Sequence, residues 1–351
     1  MREKIKYCLA DFEKSTVKEN KEELTLKKAP LMSVRYRCIW LHNELFHLHI
    51  AIQKVQYRPE LSFIAIKKCL EKMQQSDTFL EENSPNHVFT VNGKSVHNVK
   101  MPSDSHTCWI AAICALKDGQ VLVADQQNYK VKLLNRQYQV VSHWDVVARP
   151  RDMCLITPSE VAVAVDDRVN THEVQFITVN QSQLTPGRKF QLQHCCYVIA
   201  HLMGDLFITS GTALFKYSPS GKQVCRLYET IDDAVSRCAV SPTGDKLYIA
   251  NYSQHKLLTL AMDGTLLTTL TDPKLEGPLG LHVTPAGQVL VCGYLSSTIL
   301  QVDWEGKSKL ATLATQEDGV RYPRSVCYSS TTSSIIVGQD DSNNILVFRV
   351  E

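Results

Sequence analysis

Six copies of one short pattern recur beyond residue 100, and this repetition constrains the fold more than any other feature of the chain. Each copy has a Gly or Pro turn, an apolar strand, a polar loop, a second strand, another turn and a third strand. The strand after the first turn reads QVLVAD (120–125), EVAVAV (160–165), DLFITS (205–210), KLYIAN (246–251), QVLVCG (288–293) and SIIVGQ (334–339). With Val121, Val161, Leu206, Leu247, Val289 and Ile335 taken as equivalent, the copies step by 40, 45, 41, 42 and 46 residues. The next strand begins at Val131, Val174, Leu214, Leu257, Ile299 and Ile345, 8 to 13 residues further on. Ser220-Gly221, Asp263-Gly264 and Glu305-Gly306 follow three of these second strands, and glycine there supplies the positive φ that tight hairpins favour.

A small sheet that is apolar on both faces cannot cover itself, so units of this length bury their faces by standing radially around an axis. The repeat therefore predicts an all-β, six-bladed β-propeller over residues 87–351. The sixth copy ends at Glu351 straight after NNILVFRV and lacks an outermost strand. An open ring would expose a sheet edge, so HVFTVNGKSVHNVKM (87–101) is expected to supply a closing strand at about 95–101, with Val96 and Val99 alternating. Innermost strands crowd a narrow axis and favour small or β-branched residues, as in AAICAL (111–116), DMCLI (152–156) and CAV (238–240). That placement accounts for Cys114, Cys154 and Cys238 without chemistry. The twelve cysteines contain no C-x-x-C pair, so neither a structural zinc nor any other metal or cofactor is expected.

The segment DGQVLVADQQNYKVKLLN (118–135) resembles the NHL repeat, with Gly119, Ala124, Asp125, Asn128, Lys130 and Val131 at the pattern's places. PTGDKLYIANYSQHKLLTL (242–260) keeps Gly244, Ala250, Lys256 and Leu257 but carries Asn251 and Gln254 at the two polar positions. The resemblance covers roughly residues 87–351, close in these two copies and architectural in the others. The wider context is similar to tripartite-motif proteins, in which RING and B-box zinc modules and a coiled coil precede an NHL-type propeller. That resemblance implies a role in ubiquitin transfer or RNA regulation. Without paired Cys and His there is no RING or B-box here, so the chain is not expected to be a ubiquitin ligase or other enzyme in its own right.

Charge divides where the repeat begins. Residues 1–100 carry 17 Lys or Arg and 12 Asp or Glu, whereas 101–351 carry 21 and 24. Residues 1–80 are expected to be helical and 81–86, EENSPN, to be a linker. Leu41, Leu45, Leu48, Ile52 and Val55 step by 4, 3, 4 and 3, the seam spacing of a coiled coil. That stripe predicts either a homodimer or a helical hairpin packed on itself or on the propeller. The first residues, MREKIKYCLADFEKS, lack the apolar run of a secretion signal, and no stretch reaches the roughly 18 apolar residues of a membrane span, so a cytoplasmic protein without membrane contact is expected.

Function is expected where propeller loops gather at one face. Of ten arginines after residue 100, six fall in those loops: Arg149, Arg151, Arg168, Arg237, Arg321 and Arg324. Tyr129, Tyr252, Tyr294 and Tyr322 join them. Arginine forks take carboxylate or phosphate in pairs of hydrogen bonds, and tyrosines supply anchoring area, so the face predicts a non-catalytic adaptor that recognises a protein segment. Single-stranded RNA binding is the alternative, with bases stacked on the tyrosines. The overall formal charge of +2 gives no general affinity for polyanions, and Asp166, Asp167, Asp232 and Asp233 in the same loops oppose it. A metal-dependent hydrolase is a second alternative, with His282 as the inner-strand histidine that the repeat alignment places.

Overall fold

A computed structural model describes residues 87–231 and 235–351. The expected helical segment 1–80, its stripe Leu41, Leu45, Leu48, Ile52 and Val55, the linker 81–86, and the acidic pair Asp232 and Asp233 all lie outside the described residues.

Six four-stranded antiparallel sheets stand around an axis: blades 1 to 5 at 110–145, 150–191, 198–229, 235–270 and 278–314, and blade 6 from 323–350 together with 91–98. The innermost strands are Ile110–Ala115, Pro150–Leu155, Val198–Leu202, Val235–Val240, Pro278–Val283 and Pro323–Ser329, and each touches the inner strands of both flanking blades. The inner strand of blade 3 thus adds His201 to His282 as an inner-strand histidine.

The second strands read as near-continuous apolar runs because both of their faces are covered. In blade 2, Val161 and Val163 pack with Ala112, Leu122 and Val131 of blade 1. Ala162 and Ala164 point the other way, onto Ile199 and Leu206 of blade 3. The same alternation fills all six gaps between blades, and the last joins Ile336 and Val347 of blade 6 to Ile110 and Val121 of blade 1. Burying one such aliphatic side chain is worth about 1.5–3 kcal/mol, so the stacked faces are the main source of stability.

Ring closure comes from Val91–Asn98, antiparallel to Asn344–Val350 in the register Lys94↔Phe348 and Asn98↔Asn344. The strand lies a few residues ahead of the expected 95–101, for a packing reason. Its outward edge is largely solvated and Val96 is exposed, so no alternation is needed within it. The apolar anchors are at its two ends: Phe89 enters the gap between blades 5 and 6, and Val99 the gap between blades 6 and 1. Behind Val99, the wholly buried Lys132 of blade 1 places its ammonium 2.6 Å from Asp104, 2.8 Å from Asp125 and 3.0 Å from the Val99 carbonyl oxygen. Asp125 also accepts the Trp109 N–H at 3.1 Å and the Asn128 amide at 2.8 Å, so the repeat's Asp and Asn places are structural clamps on the loop.

Candidate functional site

First and third strands of an antiparallel blade run in the same direction. Loops from second to third strand, and from one blade's outer strand to the next inner strand, therefore emerge at one face. At the axial mouth of that face lies a cavity of about 320 Å³. Inner-strand starts contribute Arg151, Ser236, Arg237, Leu279 and Arg324, preceded in blade 3 by Tyr197. The loops contribute Arg168, Gly211, Tyr252 and Tyr294. Six of the expected face residues, Arg151, Arg168, Arg237, Arg324, Tyr252 and Tyr294, thus line one cavity, whereas Arg149, Arg321, Tyr129 and Tyr322 lie outside the lining. Tyr322 still extends it: its ring centroid is 5.4 Å from that of Tyr294, which is 6.3 Å from that of Tyr252. The three form an aromatic row across the rims of blades 4, 5 and 6.

The four lining arginines are not equivalent. Arg237 is buried, pairs with Asp152 of blade 2, and donates to the carbonyl oxygens of Leu279 in blade 5 and Ala111 in blade 1. It crosslinks the ring across its axis and is not the free recognition residue that its loop position suggested. Arg324 donates to Asp340 Oδ2 at 3.0 Å and Gln126 Oε1 at 3.3 Å. Arg151 and Arg168 have no carboxylate partner among the described residues. Their guanidinium carbons sit 5.6 and 5.7 Å from the centre of the Tyr197 ring. Burial, and next the charge of Arg168, push Arg151 down to about 10.

Local hydrogen bonds fix this corner. Arg168 adopts φ +69° on a loop clamped from both sides. Its own N–H donates to Asp166 Oδ1 at 2.7 Å, and Asp167 Oδ1 accepts the N–H groups of Val169, Asn170 and Thr171 at 2.8–2.9 Å. Those backbone bonds hold the Asp167 carboxyl well below the usual carboxylate range.

Sequence reasoning missed Tyr197. Its available signal was an aromatic residue just ahead of an inner strand, the place Trp109 takes in blade 1.

Among the described residues, two side-chain groups bring metal-ligand types within 4.8 Å of one another. In the first, Asp104, Cys108 and Asp125 already surround the Lys132 ammonium. In the second, with His172 and Cys195, Asp166 Oδ2 already lies 2.7 Å from His172 Nδ1 and accepts the Cys196 N–H at 2.6 Å. His201 lies 3.1 Å from the Leu155 carbonyl oxygen and accepts the Gly204 N–H at 3.0 Å, which is a structural role. Burial pushes His282 down to about 4, so it is neutral at pH 7. Among the described residues, no helix is long and apolar enough to cross a membrane.

Fold and mouth together define a six-bladed β-propeller with an arginine- and tyrosine-lined axial cavity. Solved structures share the architecture. A protein of unknown function from Bacteroides thetaiotaomicron VPI-5482 is similar at TM-score 0.57 and 13% identity, covering 74% of this chain and 76% of its own. An auxiliary nutrient binding protein from Bacteroides ovatus ATCC 8483 is similar at TM-score 0.57 and 14% identity, covering 75% and 78%. Virginiamycin B lyase from Staphylococcus aureus is similar at TM-score 0.52 and 10% identity, covering 75% and 99%. At these identities the likeness is one of fold alone. No protein-family model and no curated protein matches the chain.

Proposed function

We propose that the chain is a non-catalytic interaction module, an NHL-type propeller related to the tripartite-motif proteins, whose loop face takes a protein segment. The row Tyr252, Tyr294 and Tyr322 beside the arginine-lined mouth carries the reading. Tyrosine and arginine are enriched among the residues that carry interface energy, tyrosine because it buries a large area with few rotamers to freeze and arginine because its planar fork donates paired hydrogen bonds. Against a hydrolytic reading, the carboxylates nearest the mouth are committed: Asp152 to Arg237, Asp340 to Arg324 and Tyr294, and Asp166 to backbone N–H groups and His172. Residues 1–80 complete the proposal as a self-associating helical segment through Leu41, Leu45, Leu48, Ile52 and Val55. Light scattering then gives a dimer that Leu45→Asp with Ile52→Asp converts to monomer, and a monomeric wild type refutes that part.

The face is tested by proximity labelling in cells with wild type and a Tyr252→Ala, Tyr294→Ala, Tyr322→Ala variant, chosen because these side chains sit at the rim and spare Arg237. Partners lost from the variant and enriched with wild type support the reading, and identical partner sets refute it. Filter binding decides against RNA if no RNA is retained at low salt. Retention abolished by Arg321→Glu with Arg324→Glu replaces a protein segment with RNA.

A further inference from the structure

We propose that the blade-2 corner of the mouth is a built site for a single oxyanion, a phosphate or carboxylate group, held between Arg151 and Arg168 beside Tyr197. The proposal deepens the reading above, since the recognised segment would carry the group, but the site itself is defined by three side chains of the cavity lining and includes none of the tyrosine row.

Arg151 is 7% exposed, and its Nη2 has no hydrogen-bond partner among the described residues. An enclosed guanidinium donor without an acceptor is costly, and native proteins retain such a donor where a ligand completes it. The Nε of the same side chain donates to the Asp166 carbonyl oxygen at 3.3 Å, which fixes the plane of the fork. Arg168 brings a second positive charge to the same aromatic ring, and neither guanidinium is ion-paired, although the charge of the nearby Asp166 partly offsets the repulsion at Arg151. The two like charges, one of them desolvated, repel, and one anion placed between them removes that repulsion while accepting from both forks. The other two lining arginines lack this property, because Asp152 and Asp340 already neutralise them. The corner is also set in advance: Asp166 and Asp167 clamp the Arg168 loop through backbone hydrogen bonds, so little order has to be created on binding.

Titration of the full chain with inorganic phosphate and, separately, with acetate tests the site, read by calorimetry at ionic strength held constant with sodium chloride. Saturable binding of either anion by wild type is expected, weakened about tenfold or more in Arg168→Gln, the loss of one charge-assisted hydrogen bond. Arg226→Gln, an exposed arginine on the outer strand of blade 3 and outside the cavity, should bind as wild type does. Phosphate binding without acetate binding assigns the group to a phosphorylated side chain, and comparable binding of both admits a carboxylate. Absence of saturable binding for both anions, or equal affinity of wild type and Arg168→Gln, overturns the proposal. Because the probes are free anions, that failure is separate from failure of the protein-segment reading, which the tyrosine variant tests.

Discussion

Replacing Lys132 with Met removes the ammonium that bridges Asp104 and Asp125 while leaving a chain of similar length in the gap between blades. All three side chains are enclosed, so the change leaves two carboxylates buried without their cation. Removing one partner of a buried ion pair costs about 3–5 kcal/mol. Asp104 keeps the Met101 N–H at 2.7 Å and Lys130 at 3.3 Å, and Asp125 keeps Trp109 and Asn128, so the lower end applies. At about 2–4 °C per kcal/mol for a domain of this size, about 3 kcal/mol lowers the midpoint by about 6–12 °C. The pH dependence follows from the shifts. Burial pushes Asp104 up, but hydrogen bonds from Lys132 and the Met101 N–H outweigh it and leave the carboxyl below its ordinary value. A carboxylate depressed in the folded state contributes stability that is present above its unfolded value, near 3.9, and lost as pH falls through the lower folded value. Burial lowers Lys132, but the charge of Asp125 and the hydrogen bonds of both carboxylates more than restore it. Its contribution is therefore present below the unfolded value near 10.4 and lost only as pH rises through the folded one. In the Met variant the burial of Asp104 is no longer opposed by Lys132, so this carboxyl shifts upward and takes up a proton on mild acidification, and the deficit against wild type narrows from pH 7 to about pH 5. Urea unfolding of the full chain at both pH values, followed by tryptophan fluorescence, measures this. A loss below about 1 kcal/mol at pH 7, the size of an exposed pair, or a deficit that does not change with pH, refutes the reasoning.

Arg237→Met should likewise cost about 3–5 kcal/mol, since it strands Asp152 inside the ring. Burial already raises Asp152 with Arg237 opposing, so the variant should regain stability as pH falls from 7 to 5, and a pH-independent loss in chemical denaturation would contradict the crosslink. Gly264→Ala should lose about 2 kcal/mol or more, because at φ +90° an added Cβ would collide with the Leu227 carbonyl oxygen of blade 3. Gly93→Ala, with open space around it, should stay within about 0.5 kcal/mol, and equal melting shifts for the two would refute the packing argument.

What the sequence makes legible is whatever repeats. Lys246–Asn251 and Ser334–Gln339 have the bounds that their apolar runs predict, because a strand covered on both faces is written in consecutive residues. The closing strand is less legible: its anchors, Phe89 and Val99, flank the paired segment, and the exposed Val96 inside it carries no packing signal. At the mouth, repeat phase alone brings Arg151, Arg168, Arg237 and Arg324 to one face, since every inner strand starts there and the loops between second and third strands emerge there. Phase says nothing of which arginine is already taken. Arg237 is committed by a carboxylate in blade 2 and by carbonyl oxygens in blades 1 and 5, and Arg324 by Asp340 at the end of its own blade's second strand and Gln126 in blade 1. Apart from Asp340, those partners lie in other blades, up to 198 residues away in sequence for Arg324, where no local pattern can mark them. The distinction between a guanidinium that holds the ring together and one left for a ligand is therefore a property of the closed ring. It makes a differential statement about two residues that look alike in sequence: Arg237→Met should lower stability and leave the anion site formed in the molecules that fold, whereas Arg168→Gln should spare stability and weaken the anion.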